Sequence, residues 1–358
     1  MNSAPRPAES PDEDSVGLPW PQLGQAYGLG EVTVQPSRLT TNGFSGTLLW
    51  RVTVNRPAAV TPADDRQRAY IVRRLPPATT AARMAEIYHV VSHVAENGCP
   101  FVPVPLRTTA GACSIQAEGH LWQVEPEIMG IANFAQHASL PRIKSAMRAL
   151  AHWHIAARSL IPHPPDAAPG IKLRQARCGA LDQQGLLPRI QAVPCDEVAP
   201  QLARFVAPLL HEYQSQREAL IHALAVAANL EVPVQICVRD IHQDHLLFAD
   251  ATSDRVVGMV DYDAVRLDCV AADLSRLLRS LLSGNVADWQ EAIDCYEQIR
   301  PLSEAERSLL AVYDQANCLL SGISWLEWIF LDRRQFDLNR VESRLDSIVS
   351  TLADRRFP

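Results

Sequence analysis

The hydrophobic pattern of the chain is mainly strand-like before Gly130 and mainly helical after it. VTVQPSRL (32–39), TLLWRVTV (47–54) and AYIVRRL (69–75) are rich in β-branched and aromatic residues, which predicts three strands. TNGFSG (41–46) joins the first pair and NRPAAVTPADD (55–65) the second. A helix is predicted from Thr79 to Asn97, with Gly98 placed to end it. Two further strands are expected near FVPVPLRTT (101–109) and HLWQVEPEI (120–128). Beyond Gly130 the texture is helical. LPRIKSAMRALAHWHIAARSL (140–160) puts Ile143, Met147, Leu150 and Trp153 on one side. More helical sequence covers Ala199–Ala228. Short strand-like runs follow at VQICV, HLLF and VVGMVDY, and from Val270 the pattern is helical almost to the end. There is no internal repeat. The pattern predicts a mobile Pro-, Ser- and acid-rich tail (1–17), a small five-stranded lobe, a hinge near Glu125–Gly130 and a mostly helical large lobe.

Composition removes several functions. The 358 residues suit two domains or one bilobal unit. A formal charge of −7 and a pI of about 5.9, with no basic patch, argue against nucleic acid as a partner. No run approaches the ~18 apolar residues of a membrane span. The N-terminus lacks the apolar core of a signal peptide. The eight cysteines are dispersed without a CxxC pair, which fits reduced thiols and a cytoplasmic location.

The chemistry is concentrated in VRDIHQDHLLF (238–248), which carries Asp240, His242, Asp244 and His245. Twenty residues separate Asp240 from Asp261 of GMVDYDA. The apolar runs between them, split by ADATSDR, predict a hairpin that brings the two carboxylates together. One carboxylate can take a proton from an alcohol while the other holds a divalent cation. Phosphoryl transfer asks for little more than positioning and charge neutralisation. Zinc is the rival reading of HQDH, but such a site needs downstream histidines and none follows His245. His152 and His154 read as packing or hydrogen-bonding residues of a large-lobe helix. Asp263 and Asp268 are able to face a substrate or to pair with nearby arginines.

The segment RDIHQDHLLF…GMVDYDAVRLDCVAADLSRLL resembles the catalytic segment of the aminoglycoside phosphotransferase and choline kinase-like family. The resemblance runs from about residue 24 to the end and is specific over 238–276. It implies an α+β, bilobal protein kinase-like fold. A small antiparallel β lobe with one helix (18–128) would bind nucleotide, and a larger, mainly helical lobe (129–358) would carry catalysis and substrate. It implies an ATP-dependent phosphotransferase, with Mg2+ or Mn2+, that phosphorylates a hydroxyl of a small molecule. Asp240 falls on the catalytic base, Asp261 on the metal ligand, His242 on a loop-supporting position and Asp273 on the Asp that bonds the loop backbone. His245 stands where the family has a metal-binding Asn. In the small lobe, Gly43 and Gly46 would cover the phosphates, Arg73 would replace the usual Lys, and Glu86 would be its ion-pair partner. The alternative is a kinase-like nucleotide-binding protein with weak turnover or none. Three departures motivate it: Val238 where His is frequent, Arg73 for Lys and His245 for Asn.

Overall fold

The computed structural model describes residues 17–39, 46–55, 67–160, 164–282 and 286–353. These fall into two compact units, one within 1–89 and 103–127, the other within 90–102 and 128–358.

The first unit begins with helix α1 (Trp20–Tyr27), which ends on Gly28 in the left-handed region at φ 62°. The pattern analysis did not anticipate this helix. Strands β1 (Val32–Leu39), β2 (Leu48–Asn55) and β3 (Gln67–Arg74) follow, then helix α2 (Ala81–Glu96), which from Val90 onward is counted in the second unit, and β4 (Ile115–Ala117) and β5 (His120–Pro126). The sheet is antiparallel in the order β1-β2-β3-β5-β4. Pro36 is tolerated because β1 lies at the edge, where a missing N–H breaks no internal ladder. Leu23 and Tyr27 of α1 pack with Trp50, Val52, Val72, Trp122 and Val124 in one apolar cluster. Trp50 and Trp122 lie 5.3 Å apart at its centre.

Residues 101–109 are not a strand, contrary to the expectation from their apolar character. Pro103 and Pro105 remove the donors a ladder would need. Leu106 N–H alone reaches β5, at Val124 O, 2.7 Å. The remaining sheet position goes to Ile115–Ala117.

The second unit is largely helical. Its elements are α3 (Leu140–Arg158), β6 (Asp166–Ala167), α4 (Pro169–Gln183), the short α5 (Leu186–Gln191), α6 (Cys195–Val198) and α7 (Pro200–Ala203), then α8 (Val206–Ala227) and β7 (Glu231–Val232). They continue with β8 (Gln235–Cys237), β9 (Leu246–Phe248), β10 (Val256–Met259), β11 (Arg266–Asp268), α9 (Ala271–Leu282), α10 (Val286–Glu297), α11 (Glu304–Leu326) and α12 (Leu338–Ala353). Ile143, Met147, Leu150 and Trp153 are buried along one side of α3, as their spacing predicts. The β9–β10 hairpin forms as the pattern predicts, pairing Phe248 with Val256 and Leu246 with Met259. Among the described residues no helix is long and apolar enough to cross a membrane.

Arg142 of α3 ties the turn of this hairpin to the helix, alongside Ser145, which accepts from Val256 N–H at 3.1 Å. Arg142 is 1% exposed. Its guanidinium donates to the carbonyls of Asp250, Ala251 and Ser253 at 2.9–3.2 Å and to Asn133 Oδ1 at 2.9 Å, and it lies over the Phe248 ring. Removing the guanidinium leaves the buried Asn133 Oδ1 and three part-buried turn carbonyls without this donor, at up to about 1–3 kcal/mol apiece. Arg142→Met should therefore lower unfolding free energy by about 3 kcal/mol or more in urea titration. A loss below about 1 kcal/mol would show that water replaces these bonds at little cost.

Candidate active site

The loop after β8 is shaped by one face of α9. Asp273, Arg276 and Ser280 stand at i, i+3 and i+7, so they share a face. Each touches a different point of the loop. Asp273 Oδ2 accepts from Val238 N–H at 2.7 Å and Oδ1 from Arg239 N–H at 2.6 Å. The Arg276 guanidinium donates to the Asp240 carboxylate. Ser280 Oγ accepts from Gln243 N–H at 2.8 Å. These bonds hold a backbone that would not otherwise keep its shape, because Arg239 sits at φ 71°.

Asp273 is supported from behind. It is fully buried, and His154 of α3, also fully buried, lies with Nε2 3.0 Å from Asp273 Oδ2 and Nδ1 2.7 Å from the Tyr296 hydroxyl. Burial pushes the His154 imidazole below its usual value, with the Asp273 carboxylate acting against that shift. The ring is neutral, so Nε2–H donates to Asp273 and the Tyr296 hydroxyl donates to Nδ1. Cys237 stands beside them, and these three side chains have the residue types and spacing of a metal site. They are already committed, however. Both Asp273 oxygens and both His154 nitrogens have partners, and burial keeps the Cys237 thiol protonated by pushing it well above its usual value. The cluster is a hydrogen-bond hub.

A second buried carboxylate braces the other flank. Asp268 pairs with Arg239 and accepts from the N–H of Gly170 (2.9 Å), the N–H of Cys269 (2.9 Å) and the Tyr313 hydroxyl (2.7 Å). Gly170 is required at this spot, since a Cβ would fall 2.3 Å from Asp268 Oδ2.

The structure gathers four of the eight site residues expected from sequence. His245 spans the loop, with Nδ1 2.9 Å from the backbone oxygen of Asp240 and Nε2 3.5 Å from Asp261 Oδ2. A carbonyl only accepts, so Nδ1 carries the proton. Nε2 then stands beside a carboxylate oxygen of Asp261, and the two can act together as metal donors. A divalent cation satisfies such a donor pair, so these residues fit the metal that the resemblance implies. Asp261 is held at φ 68°, which aims its carboxylate at His245. Tyr262 steadies that turn, donating to Met259 O at 2.7 Å and stacking on Trp153 at 6.3 Å. His242 stacks on His245 with ring centroids 3.7 Å apart. Burial first, then His245, Arg276 and Arg344, push its imidazole down to about 2. It is neutral and accepts from Asp244 N–H at 3.4 Å, supporting the tight turn 243–245.

The other four lie in the first unit. Gly46, at φ 78°, leads into β2. Gly43 lies outside the described residues. Arg73 is buried and donates to Gln123 Oε1 at 3.4 Å, its partner in register on β5. Glu86 has a side chain 70% exposed, held by Arg83 one turn earlier at 3.2 Å.

Sequence reasoning passed over Arg276 and Ser280. The signal was an Asp in the first turn of a helix followed on the same face by Arg and Ser.

His154 gives a pH test. Its native value is depressed, so near its ordinary value of ~6.5 the unfolded chain binds a proton that the native protein refuses. Its contribution to stability is complete above about pH 6.5 and declines as pH falls, by up to ~1.4 kcal/mol per unit. Urea titrations from pH 7.5 to 5 should show a steeper decline in wild type than in His154→Gln. Equal slopes would assign the acid sensitivity to other groups.

Three comparisons with known proteins bear on this geometry. The model of the phosphotransferase enzyme family matches residues 58–302. No curated protein matches the chain. Among solved structures, spectinomycin phosphotransferase in complex with ADP and spectinomycin aligns with a TM-score of 0.59 at 14% identity, covering 94% of this chain and 93% of that one. A microcompartment-associated aminopropanol kinase aligns at 0.60 and 14%, covering 93% and 95%. An amicoumacin kinase in complex with AMP-PNP, Ca2+ and its antibiotic aligns at 0.59 and 11%, covering 96% and 94%. At these identities the structures show a shared fold, and the family match spans more than half of the chain. The chain belongs to the phosphotransferase enzyme family.

Proposed function

We propose that this protein transfers the γ-phosphoryl group of ATP to a hydroxyl of a small molecule. The observation that carries the reading is the His245 ring, which touches the Asp240 backbone on one side and the Asp261 carboxylate on the other. It links a candidate base on the loop after β8 to a candidate metal ligand just after β10. The nucleotides in two of the structural neighbours, ADP in one and AMP-PNP with Ca2+ in the other, support the same reading.

In this mechanism Asp240, whose side chain is 44% exposed, accepts the proton of the acceptor hydroxyl. The hydroxyl oxygen bonds to the γ-phosphorus, the bond to the β–γ bridging oxygen breaks, and ADP leaves. Asp240 then returns its proton to solvent. Asp261 and His245 would hold a divalent cation, which supplies charge neutralisation on the phosphates. Asp273 and His154 keep the loop backbone in its strained conformation.

The second reading, a kinase-like protein without turnover, draws on the ion pair between Arg276 and Asp240, which engages the base. Detection of a phosphorylated product separates the two. Asp240→Asn should lower kcat by about 10²–10⁴-fold with nucleotide affinity nearly intact. Near wild-type turnover in that variant would remove Asp240 from the reaction.

Mg-ATP at ~100 times its Kd should stabilise the protein by about 2.7 kcal/mol, visible as a melting shift, and Asp261→Asn should abolish most of it. A full shift in the variant would exclude Asp261 as the ligand. An imidazole nitrogen suits manganese better than it suits magnesium, so His245→Asn should narrow any manganese advantage while preserving or raising magnesium activity. A large loss of magnesium activity with unchanged metal preference would mean that His245 serves the loop or the acceptor instead.

A further inference from the structure

The turn end of the β9–β10 hairpin gathers cations that phosphoryl transfer does not use. A surface cavity of about 400 Å³ opens between the start of α3 and this turn. Lys144 and Arg148 line it from the helix, Asp254 and Arg255 from the turn. Lys144 and Arg148 are four residues apart, so they share a face of α3 and repel each other. Glu291 of α10 offsets Lys144 at 2.8 Å. Arg148 and Arg255 are exposed, and among the described residues neither pairs with a carboxylate. Asp254 accepts from Ser139 Oγ at 3.3 Å through Oδ1, and its Oδ2 has no partner among the described residues. Three cations therefore face two carboxylates, and a guanidinium is left over.

Uncharged donors converge on the same place. Ser145 lines the cavity, and its Oγ accepts from Val256 N–H, which leaves the hydrogen of its own hydroxyl for a ligand. Leu140 and Pro141, the first two residues of α3, form the apolar edge, where the helix dipole adds partial positive charge. Scattered surface arginines do not share a concavity, whereas these come to one from two elements and meet a hydroxyl donor there. Guanidinium forks match the oxygens of a phosphate. The unused Asp254 oxygen repels an anion and suits a hydroxyl hydrogen, so the ligand that satisfies the whole lining carries both groups. The cavity is larger than a bare phosphate and lies within the range of small-molecule sites. Three cations around one cavity do not make the extended basic face that a nucleic acid requires.

We propose that this cavity binds a phosphate monoester of a small polyhydroxy compound. Arg148, Arg255 and the Ser145 hydroxyl hold the phosphate, and Asp254 accepts from a hydroxyl of the ligand. The site is separate from the reacting groups. His245 and Asp261 flank the other end of the hairpin, beyond the Leu246–Met259 pair, a three-residue strand or about 10 Å away. A bound phosphate bridges the turn to α3 and reinforces the seam that Arg142 and Ser145 already close.

The test compares ribose 5-phosphate, ribose and inorganic phosphate by calorimetric titration without nucleotide, and locates the bound compound by amide hydrogen exchange. Ribose 5-phosphate should bind, inorganic phosphate more weakly, and ribose not at all. Exchange should slow at residues 140–148 and 250–257. Arg148→Gln combined with Arg255→Gln should weaken ribose 5-phosphate by about 10-fold or more, the scale of one charge-assisted hydrogen bond, and leave the melting temperature of the free protein unchanged. Asp254→Ala should narrow the gap between the ester and free phosphate, because it removes both the hydroxyl acceptor and a repelling charge. Unchanged affinity in the double variant, protection confined to 238–245, or no binding of either phosphate compound would overturn the proposal. Equal affinity of the wild type for the ester and for free phosphate would overturn the assignment of a monoester. None of these readouts depends on turnover, so they stand apart from the phosphotransferase reading.

Discussion

The Asp273 carboxylate accepts the backbone N–H groups of Val238 and Arg239, and the loop geometry depends on that pair of bonds. A buried carboxylate is costly unless its oxygens are satisfied, and here the partners are two amides and an imidazole. The arrangement stabilises a backbone conformation that Arg239, at φ 71°, would rarely adopt in free peptide. It also passes the demand for order outward. His154 needs Tyr296, and Gln235 donates to the backbone oxygen of His154 at 2.8 Å. Arg300 donates to Gln235 at 3.4 Å and pairs with Glu306 at 2.7 Å, whose other oxygen completes the capping box of α11 with Ser303. A helix cap, a buried ion pair and the loop are thus links of one polar chain. Breaking any of them strands its neighbours in a low-dielectric interior.

The same economy appears along α9. One helical face carries the fixed acceptor for the loop backbone, the guanidinium on Asp240 and the hydroxyl that receives Gln243 N–H. Because a helix is stiff, the spacing of these three contacts is set by its pitch. The loop can then hold a strained shape while Asp240 and Asp261 stay accessible. On the opposite flank Asp268, Gly170 and Tyr313 keep the Arg239 side chain turned away from the reacting end. The loop backbone is restrained from both sides.

Sequence alone was enough for the sheet-then-helix order, the apolar face of α3, the β9–β10 hairpin and the clustering of Asp240, His242, His245 and Asp261. These features are local. Alternation and helical spacing are properties of consecutive residues, and a hairpin brings its two ends together whatever surrounds it. The mistaken strand at 101–109 was also a local matter, since apolar character outweighed the missing donors of Pro103 and Pro105. Only the tertiary structure could decide that Arg276 meets Asp240, that His154 faces Asp273 across more than a hundred residues, or that Glu86 turns outward to Arg83. Such contacts depend on how helices pack, and a surface arginine and an active-site arginine look alike in a linear chain. Sequence thus indicated a family and a loop, whereas the side chains that brace that loop were set by packing between helices distant in the chain.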